Sequence, residues 1–332
     1  MLILCETDFS IHASEAASVA ALLAARLQGT LLLVHVYNQK GLRVDSRAAF
    51  DALHQRWEAR LSMEATRCRG LGAIVETRLL PGSASAVLLD VAARRRAGLI
   101  VLSSLSNVPP VRWLLGSVAE RVSEYARVPT LVVRGGPAFR AWAAGENPLR
   151  VVVVSNSNRG TSATLRWAQA LNTLHRCTIS VSRLALAAPG FWWQCLGEER
   201  PPDERAPQPA AGAAWDTLGR GPAGRQAVAR ATAEAADLIV VGINRPRGFA
   251  RLWHHPVSRD ILREAPMSVV CVPCSGWHLL PMAAFQRLGQ PARDSRSAPR
   301  RRVQIGAFHD APPAHRLRRG RRQPQNQEMT RA

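Results

Sequence analysis

Gly116 and Ser117 stand where an apolar run gives way to a helical pattern, a position suited to holding an anion. A helix start carries main-chain N–H groups with no carbonyl partner and the positive end of the helix dipole. A glycine there lets those N–H groups approach a phosphate oxygen with no Cβ in the way. The Ser117 hydroxyl adds a further donor or a cap. Upstream, at the end of an apolar run, stand Ser103 and Ser106, with nine residues between Ser106 and Gly116. They add Cβ atoms to the loop, and Pro109 and Pro110 stiffen it and remove two N–H donors. An ordinary helix start accounts for Gly116-Ser117 equally well at this level.

Other reactive residue types are less organised. Cys271-Val-Pro-Cys274 is a CxxC motif at the end of an apolar strand rather than at a helix start, so packing is expected of it, not redox chemistry. His254-His255 are not placed beside it by anything in the sequence. Ser155-Asn156-Ser157-Asn158 reads as a helix cap after a strand. The chain has no Gly-x-Ser-x-Gly elbow, no phosphate-loop lysine motif and no carboxylate pair in a supporting context. No enzymatic chemistry is expected.

The elements that must hold these residues alternate. Residues 2–5 read as a buried strand, followed by a turn at Thr7-Asp8-Phe9-Ser10 and an Ala/Leu-rich helix from Ser14 to Leu27. Strands follow at 31–37, Ile74–Leu80, 99–102 and 128–133. Between them lie helices at Asp45–Arg69, Ser85–Arg95 and Ser117–Tyr125. In the longest, Phe50, Leu53, Trp57, Leu61 and Ala65 recur near the helical period. Continuous apolar strands separated by helices predict a parallel sheet covered on both faces.

The second half repeats the first. Residues 151–158 match 3–10, and 177–184 match the second strand. Later, 238–242 match 99–103 and 267–272 match 128–133, at a spacing nine residues shorter. The missing element is the long amphipathic helix. Its place, 187–224, is rich in Pro, Ala and Gly, and a loop is expected there with at most a short strand near Trp215–Leu218. Trp192-Trp193 in that loop would cover the sheet face or present a partner-binding patch. The expected organisation is a first α/β domain over 1–135, a linker over 136–148, a second domain over 149–275 and a tail over 276–332.

Gly-Ser-Val-Ala-Glu-Arg-Val at 116–122 and Arg-Val-Pro-Thr-Leu-Val-Val at 127–133, with Asp8 after the first strand, resemble the universal stress protein family in its tandem form. The family pattern is Gly-x2-Gly, nine residues, then Gly-Ser or Gly-Thr. Here it reads Ser103-x2-Ser106-x9-Gly116-Ser117. The resemblance implies two five-stranded, Rossmann-like α/β sandwich domains and an ATP site. It puts Asp8 at the adenine and ribose end, Val36 against the base, and Ser103, Ser106, Gly116, Ser117 and Val118 around the phosphates. It implies antiparallel pairing of the two fifth strands as a pseudo-dimer, and further association of two chains. The second half departs more: Asp8 becomes Asn156, Gly242 is kept, the next glycine is Arg245, and His255-Pro256 replace Gly-Ser. A structural role is expected for it.

The chain is strongly basic, +20 over 332 residues, and Lys40 is its single lysine. From Trp277 to Ala332 there are 12 arginines against Asp294, Asp310 and Glu328. Nearly half of the excess charge therefore lies in a Pro-containing tail expected to be disordered. Electrostatic contact with nucleic acid is expected only through that tail, which has few aromatics for base stacking. The longest apolar run, Ala16–Ala25, is too short for a membrane span. No basic stretch precedes the apolar start, so no secretory signal is expected. Six cysteines scattered over the chain suggest a reducing cytoplasm rather than a disulfide framework. The readings that follow are a stress-adaptation module with ATP at its first domain, a ligand-free interaction protein, and a tail-mediated nucleic-acid binder.

Overall fold

The computed structural model describes residues 1–38, 46–104, 115–155, 158–174, 177–183, 216–217, 223–243 and 257–274. All belong to one unit spanning Met1–Pro291. The expected tail, Trp192-Trp193, Ser106, Asn156, Arg245, His254, His255 and Pro256 lie outside the described residues.

In chain order the first half runs β1 (Leu2–Glu6), α1 (Ile11–Arg26), β2 (Thr30–Tyr37), α2 (Arg47–Gly70), β3 (Ile74–Pro81), α3 (Ala84–Arg94), β4 (Leu99–Ser103), α4 (Ser117–Tyr125) and β5 (Thr130–Val133). Then come α5 (Gly136–Ala144), β6 (Leu149–Ser155), α6 (Asn158–Leu174), β7 (Cys177–Arg183) and β8 (Asp216–Thr217). The last elements are α7 (Ala223–Ala233), β9 (Leu238–Ile243), α8 (Val257–Glu264) and β10 (Ser268–Pro273).

The strands form one ten-stranded sheet in the order β3-β2-β1-β4-β5-β10-β9-β6-β7-β8. The second half thus repeats the strand order of the first, outward from the centre. Neighbours within each half are parallel, and the central pair, β5 and β10, is antiparallel with Leu131 opposite Val270. Each fifth strand supplies the other with the partner that an apolar edge needs.

Side chains alternate across the strands and divide the core into two layers. Ile3, Cys5, Leu31 and Leu33 pack under α1, α2, α5 and α6. Leu4, Leu32, Ile100 and Leu102 pack under α3, α4, α7 and α8. The continuous apolar character of β1 and β2 follows from burial on both faces.

Four local outcomes bear on the sequence reading. The α1 helix begins at Ile11, not Ser14, because Ser10 caps it by accepting from the Ala13 N–H at 3.0 Å. The 136–148 segment contains α5, whose Phe139 and Trp142 are fully buried. The many alanines of α1 are explained by this: α1 is covered by the sheet on one side and by α5 on another. In α2, Leu61, Ala65 and Cys68 are buried, whereas Phe50, Leu53 and Trp57 are only half-buried. The expected short strand near 215–218 is β8, paired with β7.

Candidate functional site

The carboxyl ends of β1, β2 and β4 and the start of α4 lie at one end of the first half of the sheet. Ligands of open α/β sheets bind at this end. β1 ends at Glu6, and the chain turns immediately. The Thr7 N–H donates to the Val34 carbonyl at 2.9 Å, which extends the sheet contact by one residue. Asp8 Oδ1 accepts from the Ser10 N–H at 2.9 Å, and Thr7 Oγ1 accepts from the Phe9 N–H at 3.0 Å. These bonds support the left-handed backbone of Phe9, φ 63°. Asp8 is thereby held, half-buried, at the mouth between β1 and β2.

Val36 is half-buried near the end of β2, opposite Leu80 of β3, and packs on the α3/α4 core layer. Ser103 closes β4 opposite Val133. The Gly116 N–H donates to the Ser104 carbonyl at 2.8 Å, so the start of α4 is tied directly to the end of β4. Gly116 is the N-cap residue and provides no side-chain cap. The early N–H groups of α4 therefore have no partner within the helix. Ser117 is exposed, and Val118 packs on the core layer beneath. An open groove of about 470 Å³ runs between the starts of α3 and α4, lined by Ser83, Ser85, Ser117, Val118, Arg121 and Arg259 among others.

The structure thus brings Asp8, Val36, Ser103, Gly116, Ser117 and Val118 to the same end of the sheet. Ser106 falls outside the described residues. In the second half Gly242 lies within β9, opposite Val272.

One acid near this end of the sheet escaped the sequence reading. Glu6 is the last residue of β1, and strand alternation puts it on the face of Leu2 and Leu4. Burial, followed by the nearby Asp8 carboxylate, pushes its carboxyl up to about 7. An acid closing an otherwise apolar Leu-Ile-Leu-Cys run was the available signal.

The opposite face at this end is aromatic. His35 lies between Phe9 and Trp57, with ring centroids at 4.4 and 5.6 Å. Its Nδ1 is 2.7 Å from the Thr7 carbonyl, which can only accept, so this nitrogen carries the proton. Burial, the largest influence, lowers the His35 pKa. Trp57 stacks on Tyr37 at 4.9 Å, and the Arg60 guanidinium lies over Phe9 at 4.7 Å.

Among the described thiols Cys5, Cys68 and Cys271 are buried and Cys177 and Cys274 half-buried. Burial pushes Cys271 up to about 12 and both Cys68 and Cys274 up to about 11. At such values they are protonated near neutrality and lack nucleophilic character. Among the described residues no group of three or more His, Cys, Asp or Glu side chains is arranged to hold a metal ion. Among them also, no helix is long and apolar enough to cross a membrane.

Comparison with known proteins fits this geometry. Solved structures share the fold. A universal stress protein from Archaeoglobus fulgidus DSM 4304 is 15% identical and superposes with a TM-score of 0.61, covering 82% of this chain and 98% of that one. A universal stress protein, described as putative, from Pseudomonas aeruginosa UCBPP-PA14 is 17% identical, with a TM-score of 0.52, covering 87% and 95%. A protein of unknown function from Pseudomonas aeruginosa PAO1 is 16% identical, with a TM-score of 0.53, covering 87% and 95%. No curated protein matches the chain. The model of the universal stress protein family matches residues 1–134 and 150–273, the two segments whose strands mirror each other about the β5–β10 pair. The chain belongs to the universal stress protein family.

Proposed function

We propose that the chain is a non-enzymatic module of stress adaptation whose first half binds an adenine nucleotide, ATP in the first instance. One observation carries this reading. The Gly116 N–H to Ser104 carbonyl bond sets the unpaired donors of α4 against the end of β4, at the same end of the sheet as Asp8 and Val36. Asp8 would accept from the ribose or base, and Val36 would pack on the base. Gly116, Ser117 and Val118 would bind phosphate oxygens with Ser103 and Ser106 beside them. The second half acts as a structural partner, joined through the fifth strands as a pseudo-dimer of two domains. Two chains associate further, and the cytoplasm is the compartment.

Calorimetric titration of ATP into the full chain tests the reading. Saturable heat that is lost in Ser117→Pro, which removes one N–H and the hydroxyl, supports it. No heat and no thermal shift at millimolar ATP would remove nucleotide binding.

A second reading is a ligand-free interaction module. Serines stand at both leading glycine positions of the phosphate loop, and Pro109 and Pro110 delete two donors there. Nucleotide that copurifies with the chain and is identified by mass spectrometry would exclude it.

A further inference from the structure

β3 ends the sheet: among the described strands it pairs only with β2. The strand at the opposite end, β8, has two residues, whereas β3 has eight. The Gly82 N–H donates to the Tyr37 carbonyl at 2.9 Å, so the even-numbered residues of β3 turn their N–H and C=O groups toward β2. Val75, Thr77 and Leu79 therefore turn theirs to the open edge. The Arg69 guanidinium, reaching the Val75 carbonyl at 3.2 Å from α2, marks the same direction independently. Pro81 has no N–H, which limits the open stretch to the residues before it. The side chains divide by the same parity. Val75 and Leu79 lie on the core layer under α1 and α2, and Leu80 on the layer under α3 and α4. On that second face the Glu76 carboxylate meets Arg95, at the end of α3, at 2.8 Å. Ile74 and Arg78 share this face by strand alternation, and Ile74 is 67% exposed.

We propose that β3 is a self-association edge: two copies of the chain pair their β3 strands antiparallel about a two-fold axis at Thr77. The inference rests on the reading above that two chains associate, and deepens it by naming the surface. The run Ile-Val-Glu-Thr-Arg-Leu-Leu, from Ile74 to Leu80, is complementary to its own reverse. With Thr77 opposite Thr77, Glu76 falls opposite Arg78, Val75 opposite Leu79 and Ile74 opposite Leu80. Each of these pairs lies on one face of the joined sheet. The pairs that exchange hydrogen bonds, Val75 with Leu79 and Thr77 with Thr77, are made of the residues whose main-chain groups already point to the open edge. A slip of one residue would set groups turned toward β2 against the second copy and separate both charge pairs. Glu76 comes to lie between Arg95 of its own chain and Arg78 of the second copy. Arg69, exposed on α2, gives up the Val75 carbonyl to the second copy's Leu79 N–H, so that acceptor stays satisfied. An open edge of this kind is a template for another strand, and here the side chains select a second copy of the same strand.

The test is sedimentation of the full chain: wild type, Glu76→Arg, Arg78→Glu, and an equimolar mixture of the two variants. Each variant alone sets like charges opposite each other at both cross-strand pairs. In the mixed dimer every arginine again faces a glutamate. Expected is a reversible wild-type dimer, a dissociation constant raised about tenfold in each variant alone, and recovery of the dimer on mixing. Recovery on mixing also shows that the variants are folded. A wild-type dimer whose dissociation constant is unchanged in both variants, or weakening with no recovery on mixing, overturns the proposal and leaves association of two chains standing through another surface. A wild type that stays monomeric at every concentration reached overturns the two together.

Discussion

The carboxylate of Glu15, in α1, accepts a hydrogen bond from the Gly136 main-chain N–H at 3.1 Å, where α5 begins. At the other end of α5, the Arg26 guanidinium donates to the Ala143 carbonyl. One helix thus supplies an acid to the start of α5 and a base to its end, matching the dipole at both. Gly136 leaves room for this, since a Cβ there would meet the Glu15 carboxyl. Glu15→Ala should lower stability by about 1 kcal/mol. Gly136→Ala, by displacing the Glu15 carboxyl, should cost a similar amount. Their effects should not add, because each breaks the same bond. Denaturant midpoints of the two single variants and the double variant check this.

Arg134 links the two halves of the chain. Its guanidinium donates to the Ala265 carbonyl at 2.6 Å and to the Leu262 carbonyl, at the C-terminal end of α8. Its own N–H donates to Ser268 Oγ at 3.0 Å. Burial holds its pKa down to about 10, so the group stays charged at neutral pH. Arg134→Met should destabilise by about 2 kcal/mol, since helix-end carbonyls lose their donors. Arg134→Lys should recover little, because one ammonium does not reproduce the fork. Thermal unfolding of the three proteins decides it.

Glu6 should leave a mark on stability with no ligand present. Its folded value, about 7, lies above the ordinary 4.5, so between these values the folded chain holds a proton that the unfolded chain has released. This contribution to stability is therefore full below about pH 4.5 and is lost as pH rises through about 7. Glu6→Gln should remove that decline, gaining on the order of 2 kcal/mol at pH 8 and nothing at pH 4. Urea unfolding across this range provides the measurement.

His35 should act with the opposite sign. Its folded pKa is lowered from 6.5, mainly by burial. The unfolded chain therefore binds the proton first. The contribution is present above pH 6.5 and is lost as pH falls through the lowered folded value. His35→Phe keeps the ring between Phe9 and Trp57 but gives up the bond to the Thr7 carbonyl. It should be less stable than wild type at pH 7.5, and the gap should narrow toward pH 5. An unchanged gap across that range would contradict the assignment.

Much of this fold is written in local patterns. The apolar runs at 2–5, 31–37 and 99–102, separated by helical periods, suffice for a parallel sheet buried on both faces. The repeat of those runs suffices for the second set of strands. The Gly116-Ser117 helix start and the Asp8 turn were equally legible, because capping and turn chemistry depend on neighbours a few residues apart. α5 was not legible, since Phe139 and Trp142 have a partner surface only once α1 is folded beneath them.

The charge of Glu6 was likewise beyond the reach of the sequence. Residue type names it an acid, but its proton affinity depends on burial and on Asp8 being across a turn from it. By itself the sequence determined the order of elements, the repeat and the residues able to meet an anion, because propensity, periodicity and capping act over short separations. The resemblance implied that β5 meets β10, whereas the tertiary structure alone decided that Arg134 caps a helix of the other half and that Phe139 and Trp142 find a surface to pack on. Those outcomes depend on packing and electrostatics between residues far apart in the chain, which no local pattern encodes.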